Sequence, residues 1–213
     1  MEHFDLFIIG HLSRDVLNVL GDEYVTYGGA ALYAAWATRT MQFNIGALVK
    51  TSVEDKIFTE LFPVNGPNLY WLPSKKTTSI RNVYDNPNME RRKCYAIDVG
   101  DPFLVSELPD ISADVYYLAG LIAGEFDLNF LKHCAKKGKV AMDVQGFVRH
   151  NLDGNLDFQP WNEKEEGCKY IHYFKADAAE TQELTGETDR KKGAAIIASW
   201  GAKEVMISHN TEL

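Results

Sequence analysis

Two glycines, Gly28 and Gly29, open a stretch of small residues with helical character, and Asp15 lies a short distance upstream. Glycine has no Cβ and adopts positive φ angles, so two of them between a strand and a helix let a ligand approach the backbone closely. An ionised carboxylate such as that of Asp15 accepts hydrogen bonds from neutral hydroxyl groups. The combination predicts a site for a polyol, sugar or nucleoside. The same glycines also fit a tight turn beside a closely packed helix, so both interpretations stay open.

The length and composition predict a packed globular protein of one domain or one and a half. The chain has 213 residues, of which 46% are hydrophobic and 12% aromatic, without repeats or linker-like stretches. Its formal net charge of -8 disfavours nucleic acid as a partner, since phosphate backbones require clustered cations. The one short basic cluster, Arg91-Arg92-Lys93, fits either a solvated strand edge or a phosphate contact.

The apolar stretches, the cysteines and the histidines limit the class of protein and its predicted location. No apolar stretch approaches the roughly 20 residues needed to span a bilayer, and the first residues lack the features of a secretory signal, which predicts a cytoplasmic location and no membrane contact. The cysteines, Cys94, Cys134 and Cys168, have no metal-site spacing and are expected to be reduced thiols. The six histidines likewise lack paired spacing and are expected to be ordinary surface or core residues.

Short apolar runs alternate with helical patterns along most of the chain, which is typical of a parallel sheet covered by helices on both faces. The predicted strands are residues 6–9, 45–49, 115–119, 140–142, 171–174 and 205–208. The predicted helices are residues 30–40, 53–62, 126–137, 178–185 and 190–200.

Two segments, residues 17–27 and 80–96, interrupt this alternation. Both have strand-like sequences without an intervening helix, and the second contains a turn at residues 85–88. They are expected to form a separate small sheet that covers the site as a lid, because ligands of open α/β sheets bind outside the carboxyl ends of the strands. A plain antiparallel extension of the main sheet is the alternative.

The order of these features resembles the ribokinase or PfkB-type family of carbohydrate and nucleoside kinases over essentially the whole chain. The resemblance rests on four stretches of sequence. These are Ile8-Ile9-Gly10-His11-Leu12-Ser13-Arg14-Asp15, the pair Gly28-Gly29, Asn44-Ile45-Gly46-Ala47-Leu48-Val49 ahead of Glu54-Asp55, and Phe174-Lys175-Ala176-Asp177-Ala178-Ala179-Glu180-Thr181-Gln182-Glu183-Leu184-Thr185-Gly186. It implies a three-layer ribokinase-like fold, an open and mostly parallel sheet with a small β lid. It also implies ATP-dependent phosphorylation of a sugar, polyol or nucleoside hydroxyl with Mg²⁺. The edge and the apolar face of an exposed lid sheet predict a homodimer formed through the lid.

The resemblance assigns an acceptor site to the first part of the chain. Asp15 would hold acceptor hydroxyls, while Gly28 and Gly29 would form a hinge and the turn that faces the acceptor. Ala30 and Tyr33 stand where the ribokinase branch has lysine and asparagine, which argues against ribose itself. The ring of Tyr33 offers a surface on which an acceptor ring could stack.

A donor site is implied for the last part of the chain. Asp177 and Glu180 match the family segment near the phosphates, and Glu180 would support the metal directly or through water. Ser208 and Asn210 fall where nucleotide contacts begin. Asp177 stands where the family usually has asparagine. Glu180 also fits an exposed acid in the first turn of a helix, where a negative charge is favourable. Ser208 and Asn210 also fit a plain strand end that enters a turn.

The chain ends at Leu213, before the family's Gly-Ala-Gly-Asp motif with its anion hole and catalytic base. The 213 residues alone are therefore expected to be nearly inactive as a kinase. The alternative function is a non-catalytic or degenerate small-molecule binding protein of the same fold. A dinucleotide-dependent oxidoreductase is disfavoured because the first strand leads into Gly10-His11-Leu12-Ser13-Arg14-Asp15 instead of G-x-G-x-x-G.

Overall fold

The larger of two sheets has seven strands, and every neighbouring pair in it is parallel. The computed structural model describes residues 2–63, 68–86 and 92–209. Strands and helices are numbered in chain order. Across the sheet the strands are β13 (Glu204–Ser208), β12 (Tyr173–Asp177), β9 (Lys139–Asp143), β8 (Ile111–Leu118), β1 (Glu2–His11), β4 (Ile45–Thr51) and β5 (Leu69–Pro73).

Apolar side chains cover both faces of this sheet. Successive residues of a strand point to opposite faces, and the neighbours Ile8 and Ile9 of β1 belong to two different clusters of buried residues. Ile8 packs with Ala31 and Leu32 of the first helix, whereas Ile9 belongs to the cluster that contains Phe130. Strands buried on both faces are the reason why the sequence shows continuous apolar runs instead of alternation.

Six α-helices accompany the described strands. They are α1 (Ala30–Thr38), α2 (Leu128–Lys137), α3 (Gln145–Val148), α4 (Lys164–Cys168), α5 (Ala178–Thr185) and α6 (Arg190–Ser199). The predicted helix at residues 53–62 is wrong in type, because the structure has a 3₁₀ helix at Lys56–Leu61 with no buried side chain. Without an apolar face to pack, the segment gains little from continuing as an α-helix.

The second sheet has six strands and mixed directions. In spatial order they are β10 (Arg149–Leu152), β11 (Asn155–Phe158), β7 (Lys93–Asp98), β6 (Ser79–Tyr84), β2 (Ser13–Val19) and β3 (Asp22–Gly28). Two-residue turns with positive φ angles, Leu20-Gly21 and Asp153-Gly154, join β2 to β3 and β10 to β11. Such turns match the twist of the paired strands.

The predicted fold class is confirmed, with corrections of detail. Residues 17–27 were expected to be strand-like and to join 80–96 in a small sheet, and β2 does pair with β6. The strand structure begins earlier, at Ser13, and forms a hairpin because Leu20 and Gly21 reverse the chain. The segment 80–96 supplies β6 and β7, and the predicted turn at 85–88 lies partly outside the described residues. Strands β5, β10 and β11 and helices α3 and α4 were not predicted.

The order of the strands indicates where a ligand would bind. From β1 the chain first builds β4 and β5 on one side, then β8, β9, β12 and β13 on the other. The crevice at the carboxyl ends of β1 and β8 is thus a topological switch point, where open α/β sheets bind ligands. Among the described residues, no helix has the length and apolar character needed to cross a membrane.

Candidate active site

One side of the second sheet faces the switch point, and we call it the inner face. Cross-strand pairing places its members on the same side of the sheet. They are Asp15, Ile80, Asn82, Cys94, Leu156 and Arg149. Ile80 packs against Leu121 and Ile122, which follow β8, so the inner face covers the loop at the carboxyl end of that strand.

Asp15 lies on β2, inside the second sheet. Its Oδ1 accepts a hydrogen bond from the backbone N–H of Ile80 at 3.0 Å, and its Oδ2 accepts one from the Ser13 hydroxyl at 3.1 Å. Burial raises the pKa of Asp15, while these hydrogen bonds and the charges of Arg149 and Arg92 act in the opposite direction. The carboxyl group is therefore oriented and retains lone pairs for hydroxyl donors.

Gly29 is the residue before α1 and has a φ of 107°. A Cβ built on it would lie 2.5 Å from the carbonyl oxygen of His11, and a Cβ on Gly28 would lie 2.8 Å from the hydroxyl oxygen of Tyr33. The glycine pair thus allows α1 to start directly against the end of β1. In the structure the groups that lie close to these two glycines are the backbone of His11 and the hydroxyl of Tyr33. The side chain of Tyr33 is otherwise largely exposed.

Asn82 and Cys94 form a polar pair on the inner face, in neighbouring strands. Asn82 is only 6% exposed, and its side-chain oxygen accepts a hydrogen bond from the Cys94 thiol at 3.3 Å. A buried amide retains further donors and an acceptor that need partners. The pair is well placed to contact a polar ligand next to Asp15.

A cavity of about 700 Å³ lies between the second sheet and the start of α5. Its lining includes Arg92, Lys93, Cys94, Arg149 and Asp177. Burial lowers the pKa of Arg149, which donates a hydrogen bond to the side-chain oxygen of Gln145 at 2.5 Å. Two guanidinium groups in one cavity suit a phosphate group, which they can contact in a bidentate manner.

Three carboxylates gather beside this cavity. Asp177 and Glu180 form a capping box at the start of α5, each accepting a hydrogen bond from the other's backbone N–H at 2.7 Å. Asp143, at the end of β9, pairs with Lys175 at 3.0 Å. Glu180 is 1% exposed, so it is not the solvated first-turn acid that was one interpretation of the sequence. Burial, together with the charges of Asp143 and Asp177, raises the pKa of Glu180 to about 7.

Of the two remaining residues predicted for the donor site, the structure describes Ser208 but not Asn210. Ser208 ends β13 and pairs with Asp177 across neighbouring parallel strands, which brings it to the same edge of the sheet. Asn210 lies outside the described residues. The substitution of aspartate for the family's asparagine at position 177 is compatible with the fold, since an aspartate is a favourable residue before a helix.

Buried ionisable side chains fix the loops around this edge. The ammonium of Lys50, at the end of β4, lies 2.8 Å from a carboxylate oxygen of Glu107 and donates to the carbonyl of Pro102. The ring of His11 lies with Nδ1 3.2 Å from Glu125 and with Nε2 3.0 Å from the carbonyl oxygen of Asp101. These contacts hold the loops that follow β7 and β8 against the main sheet.

Sequence reasoning missed Arg149, Asn82 and Cys94 as site residues. The turn dipeptide Asp153-Gly154 could have indicated the hairpin that carries Arg149, because aspartate and glycine favour two-residue hairpin turns. Nothing in the local sequence pairs Asn82 with Cys94, since that contact depends on the register of β6 with β7.

Acidic and cationic side chains thus lie near one another at the carboxyl ends of β9 and β12, with part of the second sheet beside them, a combination suited to a small phosphorylated ligand. No protein-family model matches the chain, and no curated protein matches it. Several solved structures do match the chain. A pyrophosphate-dependent kinase in the ribokinase family, in a sulfate complex, is 32% identical with a TM-score of 0.88, over 96% of this chain and 73% of that one.

Two further structures extend the comparison. A pyrophosphate-dependent myo-inositol-1 kinase, converted into a myo-inositol-3 kinase by a double mutation, is 32% identical, with a TM-score of 0.86 over 96% of this chain and 70% of that one. The Arabidopsis thaliana ribokinase complexed with ribose and ATP is 13% identical, with a TM-score of 0.66 over 97% of this chain and 72% of that one. The chain belongs to the ribokinase family. The solved structures that are similar to it are of sugar, polyol and nucleoside kinases.

Proposed function

We propose that this protein transfers a phosphoryl group from a phosphate donor to a hydroxyl group of a small polyol, sugar or nucleoside. The observation that carries the proposal is the inner face, on which Asp15 lies on the same side of one sheet as Arg149, a residue of the cationic cavity. A hydroxyl acceptor and a phosphate group need these two environments next to each other.

On this proposal the acceptor binds between the inner face and the glycine pair. Asp15 accepts hydrogen bonds from acceptor hydroxyls, and Asn82 and Cys94 contact its remaining polar groups. Gly28 and Gly29 form the turn that faces the acceptor and absorb movement of the lid, and Tyr33 offers its ring for stacking on the acceptor. A 32% identical structure was solved in complex with a pyrophosphate analog and myo-inositol, which makes a cyclic polyol the first acceptor to test.

The donor phosphates bind in the cationic cavity, where Arg92 and Arg149 offset their negative charge, with Asp177 and Ser208 nearby. ATP is the donor that the family resemblance implies, with Asn210 among its contacts. Pyrophosphate is a second candidate, because structures 32% identical to this chain are of pyrophosphate-dependent kinases. A cavity with two arginines accommodates the phosphates of either donor.

The family resemblance implies Mg²⁺, and Asp143, Asp177 and Glu180 are the carboxylates that would hold it, through bound water where their oxygens do not converge. Repulsion among the three carboxylates contributes to the raised pKa of Glu180, and a divalent cation held by oxygen ligands would relieve it. Bound there, Mg²⁺ would supply charge neutralisation of the donor phosphates. The protein's own contribution is to hold the carboxylates in place through the capping box and through Lys175.

Ligand stabilisation tests the acceptor and donor sites without requiring turnover. The purified protein is heated with myo-inositol, ribose, fructose or adenosine, each with Mg²⁺ and with ATP or pyrophosphate. A ligand at 100 times its Kd that binds only the folded state raises stability by about 2.7 kcal/mol. Phosphorylated product is then measured by ³¹P NMR for each ligand that binds.

Binding together with product formation would show that these 213 residues carry the kinase chemistry. Binding without product is the result expected above for the 213 residues alone, and it also fits the alternative, a non-catalytic or degenerate binding protein that keeps the acceptor site. The absence of stabilisation by every acceptor and both donors would overturn both. We also propose a cytoplasmic location and a homodimer through the second sheet.

A further inference from the structure

A second group of potential ligands lies at the opposite edge of the main sheet from the candidate active site. His3 and Asp5 are two residues apart near the start of β1 and therefore point to the same face. The register of β1 with β8 pairs His3 with Ser112 and Phe4 with Ala113, so Asp114 comes next to Asp5. One donor atom of each of His3, Asp5 and Asp114 lies within 4.8 Å of the others.

Hydrogen bonds orient the imidazole of His3 within this group. Its Nδ1 lies 3.0 Å from the Ser112 hydroxyl, which itself donates to the carbonyl oxygen of Glu2 at 3.5 Å. The contact with Ser112 holds the ring beside Asp5 and Asp114. Nε2 of the ring lies 3.5 Å from Oδ1 of Asp114, so this nitrogen faces the carboxylates.

The carboxylate of Asp5 is fixed independently of the other two ligands. Its Oδ2 accepts a hydrogen bond from the backbone N–H of Asn44 at 2.7 Å, just before β4. The imidazole nitrogen and the two carboxylates therefore present their donor atoms to one small volume at the surface. Two carboxylates close together are favoured by a cation between them.

We propose that His3, Asp5 and Asp114 form a binding site for a divalent transition-metal ion, with water in the remaining coordination positions. One imidazole nitrogen and two carboxylate oxygens are a donor set suited to Zn²⁺ or Mn²⁺. With a metal ion on Nε2, Nδ1 would carry the hydrogen and donate it to Ser112, which is the outer contact that commonly fixes a metal-binding histidine. A bound ion would link β1 to β8 and, through Asn44, to the segment before β4.

Calorimetric titration of Zn²⁺ into the EDTA-treated protein tests the site, with Mg²⁺ as a comparison ion. We expect one Zn²⁺ per chain, and His3→Ala or Asp114→Asn should weaken its binding by roughly tenfold or more. His209→Ala and Asp110→Asn remove the same side-chain types from exposed positions outside the group and should leave the affinity unchanged.

Two further measurements give the test a clear outcome. Co²⁺ as a spectroscopic probe should show ligand-field absorption bands in the wild-type protein that His3→Ala removes. Zn²⁺ should raise the Tm of the wild type but not that of Asp114→Asn, whose fold is checked by circular dichroism. Failure to bind Zn²⁺, or binding that both site variants retain, would overturn the proposal and leave His3 and Asp114 as an ion pair only.

Discussion

The carboxyl group of Glu180 is almost completely buried and lies close to the charges of Asp143 and Asp177. Its pKa is about 7 in the folded state, against an ordinary value of 4.5. The folded protein therefore binds one more proton than the unfolded chain between these two values. Stability from this proton is fully present below pH 4.5 and is lost as the pH rises through about 7.

Glu180→Gln should remove this dependence. Glutamine keeps an oxygen that accepts the hydrogen bond from the Asp177 backbone N–H but carries no charge. Relative to the wild type, the variant should gain stability on the order of 3 kcal/mol between about pH 5 and about pH 8 in the absence of metal. Chemical denaturation across this pH range measures the difference. Glu183→Gln on the same helix is the control, and equal pH profiles for Glu180→Gln and wild type would contradict the prediction.

Asp15 can be tested with a substitution of nearly the same shape. Asp15→Asn retains an oxygen for the Ile80 backbone N–H but loses the charge that strengthens hydrogen bonds from acceptor hydroxyls. We expect myo-inositol to bind roughly tenfold or more weakly, with little loss of fold stability, as measured by calorimetry and thermal unfolding. Asp22→Asn, an exposed residue in the same hairpin, is the control. Unchanged affinity in Asp15→Asn would remove Asp15 from the proposed acceptor site.

At the scale of elements, the junction between β3 and α1 depends on Gly29. The residue has a φ of 107°, and an added Cβ would lie 2.5 Å from the carbonyl oxygen of His11. Gly29→Ala therefore combines backbone strain with a clash against backbone that cannot move easily, and should cost about 3 kcal/mol or more. Urea denaturation measures the loss.

Gly124 provides a matched comparison. It has a φ of 98°, but an added Cβ would meet no atom within 4 Å. Gly124→Ala should cost only the strain, about 1–3 kcal/mol, so the excess in Gly29→Ala reports the contact with His11. If the two variants lose equal stability, the close packing of α1 against β1 does not account for the glycine at position 29.

Element types were predictable where local sequence and tertiary packing agree. The central strands and helices α1, α2, α5 and α6 follow from apolar runs and from end signals such as Gly138 and Gly186. The 3₁₀ helix at Lys56–Leu61 was missed because its apolar residues are not buried. The candidate site was predictable only in part. Asp15 followed from its place near the glycine pair and Glu180 from the family resemblance, whereas Arg149 reaches the inner face through long-range pairing of β11 with β7.

At the scale of the whole molecule, the second sheet draws its strands from three separate parts of the chain. Strands β2 and β3 follow β1, β6 and β7 follow β5, and β10 and β11 follow β9. No local sequence pattern indicates that these three segments pair in one sheet. For this reason only two of the three were expected to belong to it. Their meeting brings Asp15, Asn82 and Arg149 to one face, so the proposed chemistry depends on assembly of this sheet.

The second sheet also presents a surface that suits a partner chain. Strand β3 lies at one end of the sheet as described, and the hairpin that contains it exposes Leu20, Tyr24 and Val25. An end strand with unpaired backbone groups and apolar side chains favours association. Light scattering should therefore give twice the chain mass of 24.0 kDa, about 48 kDa, at micromolar concentration.

Paired substitutions on the two sheets locate that interface. Val25 is 52% exposed on β3, and Met206 is 49% exposed on β13 at one end of the main sheet. Val25→Lys places a charge in the proposed interface and should give a monomer of 24.0 kDa, because an unpaired buried charge is costly. Met206→Lys adds the same charge elsewhere and should remain dimeric. A monomeric wild type, or dissociation by Met206→Lys but not by Val25→Lys, would show that the second sheet is not the dimer interface.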